Sequence, residues 1–165
     1  MTAADESGAA MRIVPGDLAD VRVVELLRTH VTQARAQTAP GSAHALDLEE
    51  LRAPELRLWT LWEGEALLAV GALKRLSADH GEVKSMHTAQ AQRRRGAGSA
   101  MLRHIVAAAR AEGLSRLSLE TGSWEYFRPA HALYRRHGFV ECGPFGDYVA
   151  DPNSVFMTLE LARQA

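Results

Sequence analysis

Arg93, Arg94 and Arg95 run straight into Gly96-Ala97-Gly98, and a helix-forming stretch follows at once. Residue types in that order suit the holding of a phosphate. Gly96 and Gly98 carry no Cβ, so backbone N–H groups can close around an anion. A helix that opens there adds its unpaired N–H groups and the positive end of its dipole. The arginines bring side-chain charge to the same place. The helix is expected because Met101, Leu102, Ile105, Val106 and Ala109 recur at helical spacing as one apolar stripe. Ahead of the turn, Glu82-Val-Lys-Ser-Met-His-Thr88 reads as a strand. Residues 82–112 thus form strand, basic glycine turn and helix, a phosphate cradle whose phosphate belongs to a cofactor.

Three cradles have this outline. A P-loop closes its glycine run with Gly-Lys-Ser/Thr, whereas Ser99-Ala100 follow Gly98 here. A dinucleotide fold wants glycine or alanine where this chain has Met101, and its strand enters the turn apolar instead of through three arginines. Glu120, near where a ribose-binding acid would fall, keeps a dinucleotide-binding protein as an alternative. The third pattern, Arg/Gln-x-x-Gly-x-Gly/Ala, is matched by Arg93-Arg-Arg-Gly96-Ala-Gly98. It resembles the pyrophosphate loop of the GNAT N-acetyltransferases, which bind acetyl-CoA.

A second segment, Ala130-His-Ala-Leu-Tyr134-Arg-Arg-His-Gly138-Phe139, is similar to that family's Ala-x-x-Leu-Tyr-x-x-x-Gly-Phe. Further stretches resemble its bacterial YsnE-like branch: Gly81 to Thr88, Leu119 to Ser123, Gly143 to Tyr148 and Asp151 to Met157. Phe127 departs from the broader pattern, in which many members carry Asn. The resemblance implies that Arg93, Arg94, Arg95, Gly96, Ala97, Gly98 and Ser99 hold the coenzyme A pyrophosphate. It also implies that backbone N–H groups around Met86, His87 and Thr88 hold the pantetheine arm and the thioester carbonyl.

Aminolysis of a thioester needs a neutral amine, a stabilised oxyanion and a protonated leaving thiolate. Tyr134 stands where the family places the phenol that protonates the coenzyme A sulfur; the plain alternative is a buried helix tyrosine packed beside Phe139. Glu82 is the candidate base, at the spacing before Gly96 where histone-type relatives carry one. Alternation along the strand puts Lys84 on the same face, so an ion pair is the competing reading. Glu120 is the second carboxylate, as a base or as the fastening of the Thr121-Gly122 turn. Trp124, Tyr126, Phe145 and Tyr148 are candidates for an acceptor pocket or for core.

These residues need elements to position them. Residues 1–10 read as a flexible leader and 11–165 as a single domain. Arg12-Ile-Val14 is a short strand, and Asp17 caps a helix bearing Leu18, Val21, Val24, Leu27 and Val31, broken at Ala39-Pro-Gly-Ser42. Residues 47–52 make one or two helical turns before Pro54. Leu56–Glu63 and Ala66–Leu76 are strands joined by Gly64-Glu65, and the strand at Glu82 completes an antiparallel meander. Gly113 ends the long helix, and Leu114–Thr121 is another strand. A helix from Pro129 stops at Gly138, and Phe139–Cys142 and Val155–Leu161 close the chain. The class is α+β. The resemblance implies a mixed, mostly antiparallel sheet with helices on both faces and a splay between the strands at Glu82 and Leu114.

Composition sets the outer limits. The chain has 165 residues, is 47% hydrophobic and carries a formal charge of −1, which disfavours a protein that coats nucleic acid or anionic membrane. The one cysteine, Cys142, allows no intrachain disulfide. No apolar run approaches the roughly 20 residues of a membrane span, and the acidic start is unlike a signal peptide, so a cytoplasmic location is expected. The seven histidines form no His-x-x-His or His/Cys cluster, so no metal is expected. The expected function is acetyl-CoA-dependent transfer to a small primary amine or amino-acid-like acceptor. A homodimer is compatible with that reading, and a non-enzymatic coenzyme A-binding module is its rival.

Overall fold

The computed structural model describes residues 10–38, 45, 48–89 and 96–161. Residues 1–9 of the leader, the Ala39–Ser42 break, Asp47 and all three cradle arginines, Arg93, Arg94 and Arg95, lie outside the described residues.

The elements run β1 (Met11–Pro15), α1 (Val21–Ala36), β2 (Leu56–Glu63), β3 (Ala66–Arg75), β4 (His80–Thr88), α2 (Ala97–Ala111), β5 (Arg116–Gly122), α3 (Arg128–Arg136), β6 (Val140–Cys142) and β7 (Ser154–Glu160). Single 3₁₀ turns, Glu50–Arg52 and Glu125–Phe127, precede β2 and α3. The seven strands form one sheet in the order β1-β2-β3-β4-β5-β7-β6. All neighbouring pairs are antiparallel except β4 with β5, which are parallel. This is the expected α+β class, with a mostly antiparallel sheet.

Alternation along the strands sorts the core into two layers. Val70 and Ala72 of β3 pack with Trp62, Val23 and Leu27, so α1 covers one face. Ala69 and Leu73 pack with Met101, Leu102 and Ile105 of α2 and with Tyr134 of α3, which cover the other. Helix α2 sits close because Gly71 lies beneath it: a Cβ there would stand 2.7 Å from Met101 Cγ and 2.9 Å from Ile105 Cδ1. The end of α2 is a Schellman turn. Gly113, at φ 82°, donates to Arg110 O, and Leu114 donates to Ala109 O.

The first helix corrects the sequence reading. Its cap is Asp20, whose carboxylate accepts from Arg22 N at 2.9 Å. Asp17, three residues earlier, accepts instead from Ala19 N in the preceding turn. The later start rotates the buried stripe onto Val23 and Leu27 and leaves Val21 65% exposed.

Strands β4 and β5 pair at only three positions, His80↔Arg116, Gly81↔Leu117 and Glu82↔Ser118. Beyond Glu82 they part, and among the described residues no strand pairs with β4 on its β5 side for the rest of its length. Alternate backbone polar groups of Val83–Thr88 therefore face the gap.

Candidate active site

The gap is the wall of a cavity of about 570 Å³ that runs through the sheet. It is bounded by β4 from Val83 to Thr88, the end of β5, the start of α2, the inner side of α3, and His30 and Ala34 of α1. Gly96, in the left-handed region at φ 81°, turns the chain into α2. No side chain caps that helix, and its first turn carries no acid. Its opening residues Gly96, Ala97, Gly98 and Ser99 all line the cavity, which places N–H groups left unpaired by the helix at the cavity's edge. A Cβ on Gly98 would meet Leu133 Cδ2 at 3.3 Å and Thr88 Oγ1 at 3.5 Å, so this entrance is narrow. The Ser99 hydroxyl lies 3.1 Å from His137 Nε2.

A bulge decides what β4 presents. Val70 faces His87 and Ala72 faces Lys84, so Gly71 alone opposes Ser85 and Met86. Ser85 takes a φ of 55°, and its buried Oγ has no hydrogen-bond partner among the described residues. The extra residue puts Lys84 and His87 on the α1 face together, where simple alternation would separate them. Met86 turns to the α2 face beside Gly71.

On the α2 face, Tyr134 is 6% exposed and lines the cavity, its ring 5.7 Å from that of Phe139. Burial pushes its phenol well above the usual tyrosine range, which keeps it protonated. The structure thus shows the buried helix tyrosine packed beside Phe139, and the same side chain lines the cavity.

On the α1 face the two carboxylates differ. Glu82 is 3% exposed and is not among the residues lining the cavity. Its Oε2 accepts from Tyr148 OH at 2.6 Å and lies 3.3 Å from Lys84 Nζ; Lys84 in turn donates to Tyr148 OH at 2.9 Å. Burial first, then the charge and hydrogen bond of Glu82, push the Tyr148 phenol far up. Glu120 does line the cavity, while its Oε2 accepts from Ser154 Oγ at 2.6 Å.

Three more groups belong to this wall. His30 of α1 and His87 of β4 meet with their Nδ1 atoms 3.2 Å apart and their rings 5.1 Å apart, edge to face. Burial, then His87 and Lys84, push His30 down to about 3. Tyr126 donates to Gln33 Oε1 of α1 at 2.7 Å, tying the turn after β5 to the helix. Phe127 lines the cavity with its ring against Gly122, where a Cβ would stand 2.2 Å from Phe127 Cε2. His30 went unnoticed in the sequence because it sits within α1's amphipathic pattern; its partner is 57 residues away. Among the described residues no group of three or more His, Cys, Asp or Glu could hold a metal ion. No described helix is long and apolar enough to cross a membrane.

Residues 23–139, from the buried stripe of α1 to the turn that follows α3, match the Acetyltransferase (GNAT) family. The chain is a GNAT acetyltransferase. The family includes two bacterial relatives that are close along nearly the whole sequence. The uncharacterized N-acetyltransferase YsnE of Bacillus subtilis is 48% identical over 151 residues, 92% of this chain and 100% of YsnE. The uncharacterized N-acetyltransferase YedL of Escherichia coli is 48% identical over 147 residues, 89% of this chain and 92% of YedL. Among solved structures, a Klebsiella pneumoniae protein provisionally described as an acyl-CoA N-acyltransferase superposes with a TM-score of 0.78 at 25% identity, covering 92% of this chain and 98% of that one. A Bacillus subtilis acetyltransferase solved in complex with CoA shares the fold at a TM-score of 0.70 and 17% identity, covering 93% of this chain and all of that one. The GNAT architecture, with its parted β4 and β5, is thus the fold of this acetyltransferase.

Proposed function

We propose that this GNAT acetyltransferase moves the acetyl group of acetyl-CoA to the primary amine of a small-molecule or amino-acid-like acceptor, by direct attack in a ternary complex. One observation carries the reading: a single cavity passes through the sheet with a protonated phenol on one face and a polar wall on the other. Direct attack suits that arrangement, because the amine must lose protons and the departing thiolate must gain one as the carbonyl carbon is attacked.

The α2 N–H groups at Gly96, Ala97, Gly98 and Ser99 would hold the pyrophosphate, joined by Arg93, Arg94 and Arg95 of the preceding turn. Backbone groups of Met86, His87 and Thr88, left without a strand on the β5 side, are suited to the pantetheine amides and to the thioester oxygen as it gains charge. Tyr134 supplies the proton that the departing sulfur needs. Glu120 gives the acceptor wall negative charge, which draws an ammonium group inward. Glu82, the base expected from the strand position, acts one step back: it fixes Tyr148 and balances the Lys84 charge.

The test is a panel of primary amines and free amino acids incubated with acetyl-CoA, with release of free thiol as readout and product mass as confirmation. Thiol release that depends on an amine, with a product heavier by one acetyl group, is expected. Stabilisation by acetyl-CoA without release for any amine would make the chain a coenzyme A-binding module. Stabilisation by NADH in its place would revive the dinucleotide alternative.

A further inference from the structure

The polar wall opposite Tyr134 holds a pair of imidazoles that the reaction as described leaves without work. His30 and His87 come from different elements, α1 and β4, and both line the cavity. Their Nδ1 atoms are 3.2 Å apart, so one ring donates a hydrogen and the other accepts it. A neutral imidazole carries one N–H. The ring that donates through Nδ1 therefore has its lone pair on Nε2, and the ring that accepts has its hydrogen there.

We propose that His87 takes the proton from the acceptor's ammonium, and that His30 holds His87 in the tautomer able to do so. This assignment rests on the acetyl-transfer reading above. Position favours His87 as the proton acceptor. It follows directly on the Ser85-Met86 bulge, where β4 has parted from β5, whereas His30 belongs to α1. The bulge is also what turns His87 to the face opposite Tyr134, so proton acceptor and proton donor stand on the two sides of the reacting carbonyl. Burial holds His30 neutral, so its Nδ1 is able to accept the hydrogen that His87 donates in this assignment. Among the described residues, the other ionisable groups on this face are Lys84, Glu120 and Tyr126, which line the cavity, and Glu82 and Tyr148, which sit behind Lys84 in its hydrogen-bonded cluster. Glu82 lies 3.3 Å from Lys84, and Glu120 lines the same cavity as His87, where its negative charge favours an imidazolium.

The step balances as follows. The ammonium gives one proton to His87 Nε2, and His87 keeps donating through Nδ1 to His30. The freed nitrogen lone pair forms the C–N bond as the C–S bond breaks. Tyr134 protonates the sulfur, and the second proton lost from nitrogen restores the phenol. His87 releases its proton to solvent as the amide leaves. In this arrangement His87 is catalytic and His30 is a positioning residue.

The experiment compares pH profiles of kcat/KM for the wild type, His87→Asn, His30→Asn and His30→Leu, using the fastest acceptor of the amine panel. His87→Asn keeps an N–H where Nδ1 stood but has no second nitrogen. It should lose on the order of 10²–10⁴-fold at neutral pH and regain activity as pH approaches the acceptor's own pKa. His30→Asn keeps an acceptor for the Nδ1 hydrogen and should stay within about tenfold of wild type, whereas His30→Leu should fall toward His87→Asn. A His87→Asn profile parallel to wild type would overturn the proposal, as would equal behaviour of the two His30 variants. If no amine reacts with the wild type, the acetyl-transfer reading fails by itself. Long-range ¹H–¹⁵N NMR of the unliganded protein still decides the tautomers: Nδ1–H on His87 and Nε2–H on His30 are required, and the reverse sinks the assignment.

Discussion

Tyr148 donates its hydroxyl hydrogen to Glu82 Oε2 at 2.6 Å, a contact that spans 66 residues of chain. Lys84 donates to the same hydroxyl from its other side at 2.9 Å. One phenol, one carboxylate and one ammonium therefore close a triangle on the α1 face of β4, and the loop before β7 is fastened to the middle of the sheet.

Glu82→Gln removes the carboxylate that lies 3.3 Å from the ammonium of Lys84, itself 9% exposed. Removing one member of a buried pair costs about 3–5 kcal/mol, so thermal melting should shift down by many degrees. Glu120→Gln should leave melting nearly unchanged and raise KM for a cationic acceptor. A flattened low-pH limb in Glu82→Gln, at unchanged stability, would make Glu82 the base after all.

Tyr134→Phe preserves the ring and its contact with Phe139 but removes the side chain's only transferable proton. The fall should appear in kcat, on the order of 10²–10⁴-fold, with acetyl-CoA affinity retained. An unchanged kcat assigns Tyr134 to packing alone.

Acetyl-CoA at a hundred times its Kd should stabilise the fold by about 2.7 kcal/mol through linkage. Gly98→Asp aims a carboxylate at the opening of α2, beside Thr88 and Leu133, and should abolish the shift in melting. Gly98→Ala, which meets those neighbours only at 3.3 and 3.5 Å, should keep most of it. Equal shifts in both variants would move the pyrophosphate away from this turn.

Stability should fall on mild acidification, and His30 sets the sign. Its folded pKa lies near 3, while an unfolded histidine titrates near 6.5. Between those values the unfolded chain binds the extra proton, so the folded state loses up to ~1.4 kcal/mol for each pH unit below about 6.5. His30→Asn should lower the slope of melting temperature against pH between 6.5 and 4.5. An identical slope in the variant would assign the acid sensitivity to other groups.

The sequence carried the local features well. The meander, the apolar stripe of α2, the glycine stop at Gly113 and the turn at Gly96 each depend on residues within a few positions, and all stand where residue chemistry puts them. The first helix was harder, since Asp17 and Asp20 are both competent caps and only packing against Trp62 and Val70 chooses between them. The acceptor wall was beyond reach for a different reason. Whether Lys84 and His87 share a face depends on one extra residue in β4, and a bulge at Ser85 has no mark in a run of alternating types. Pairings such as His30 with His87, Tyr126 with Gln33 and Tyr148 with Glu82 join distant elements, so they exist only once the fold does.

The three-pair contact between β4 and β5 makes this sheet two plates joined at one end by a short seam. At the other end no β4–β5 ladder joins the plates, and α1, α2 and α3 bear on both sides of the opening. A molecule that grips β4 and β5 together beyond Glu82 acts as a strut between the plates. Its arrival should then be felt at the seam, as slower amide exchange at Gly81 and Leu117, where it touches nothing.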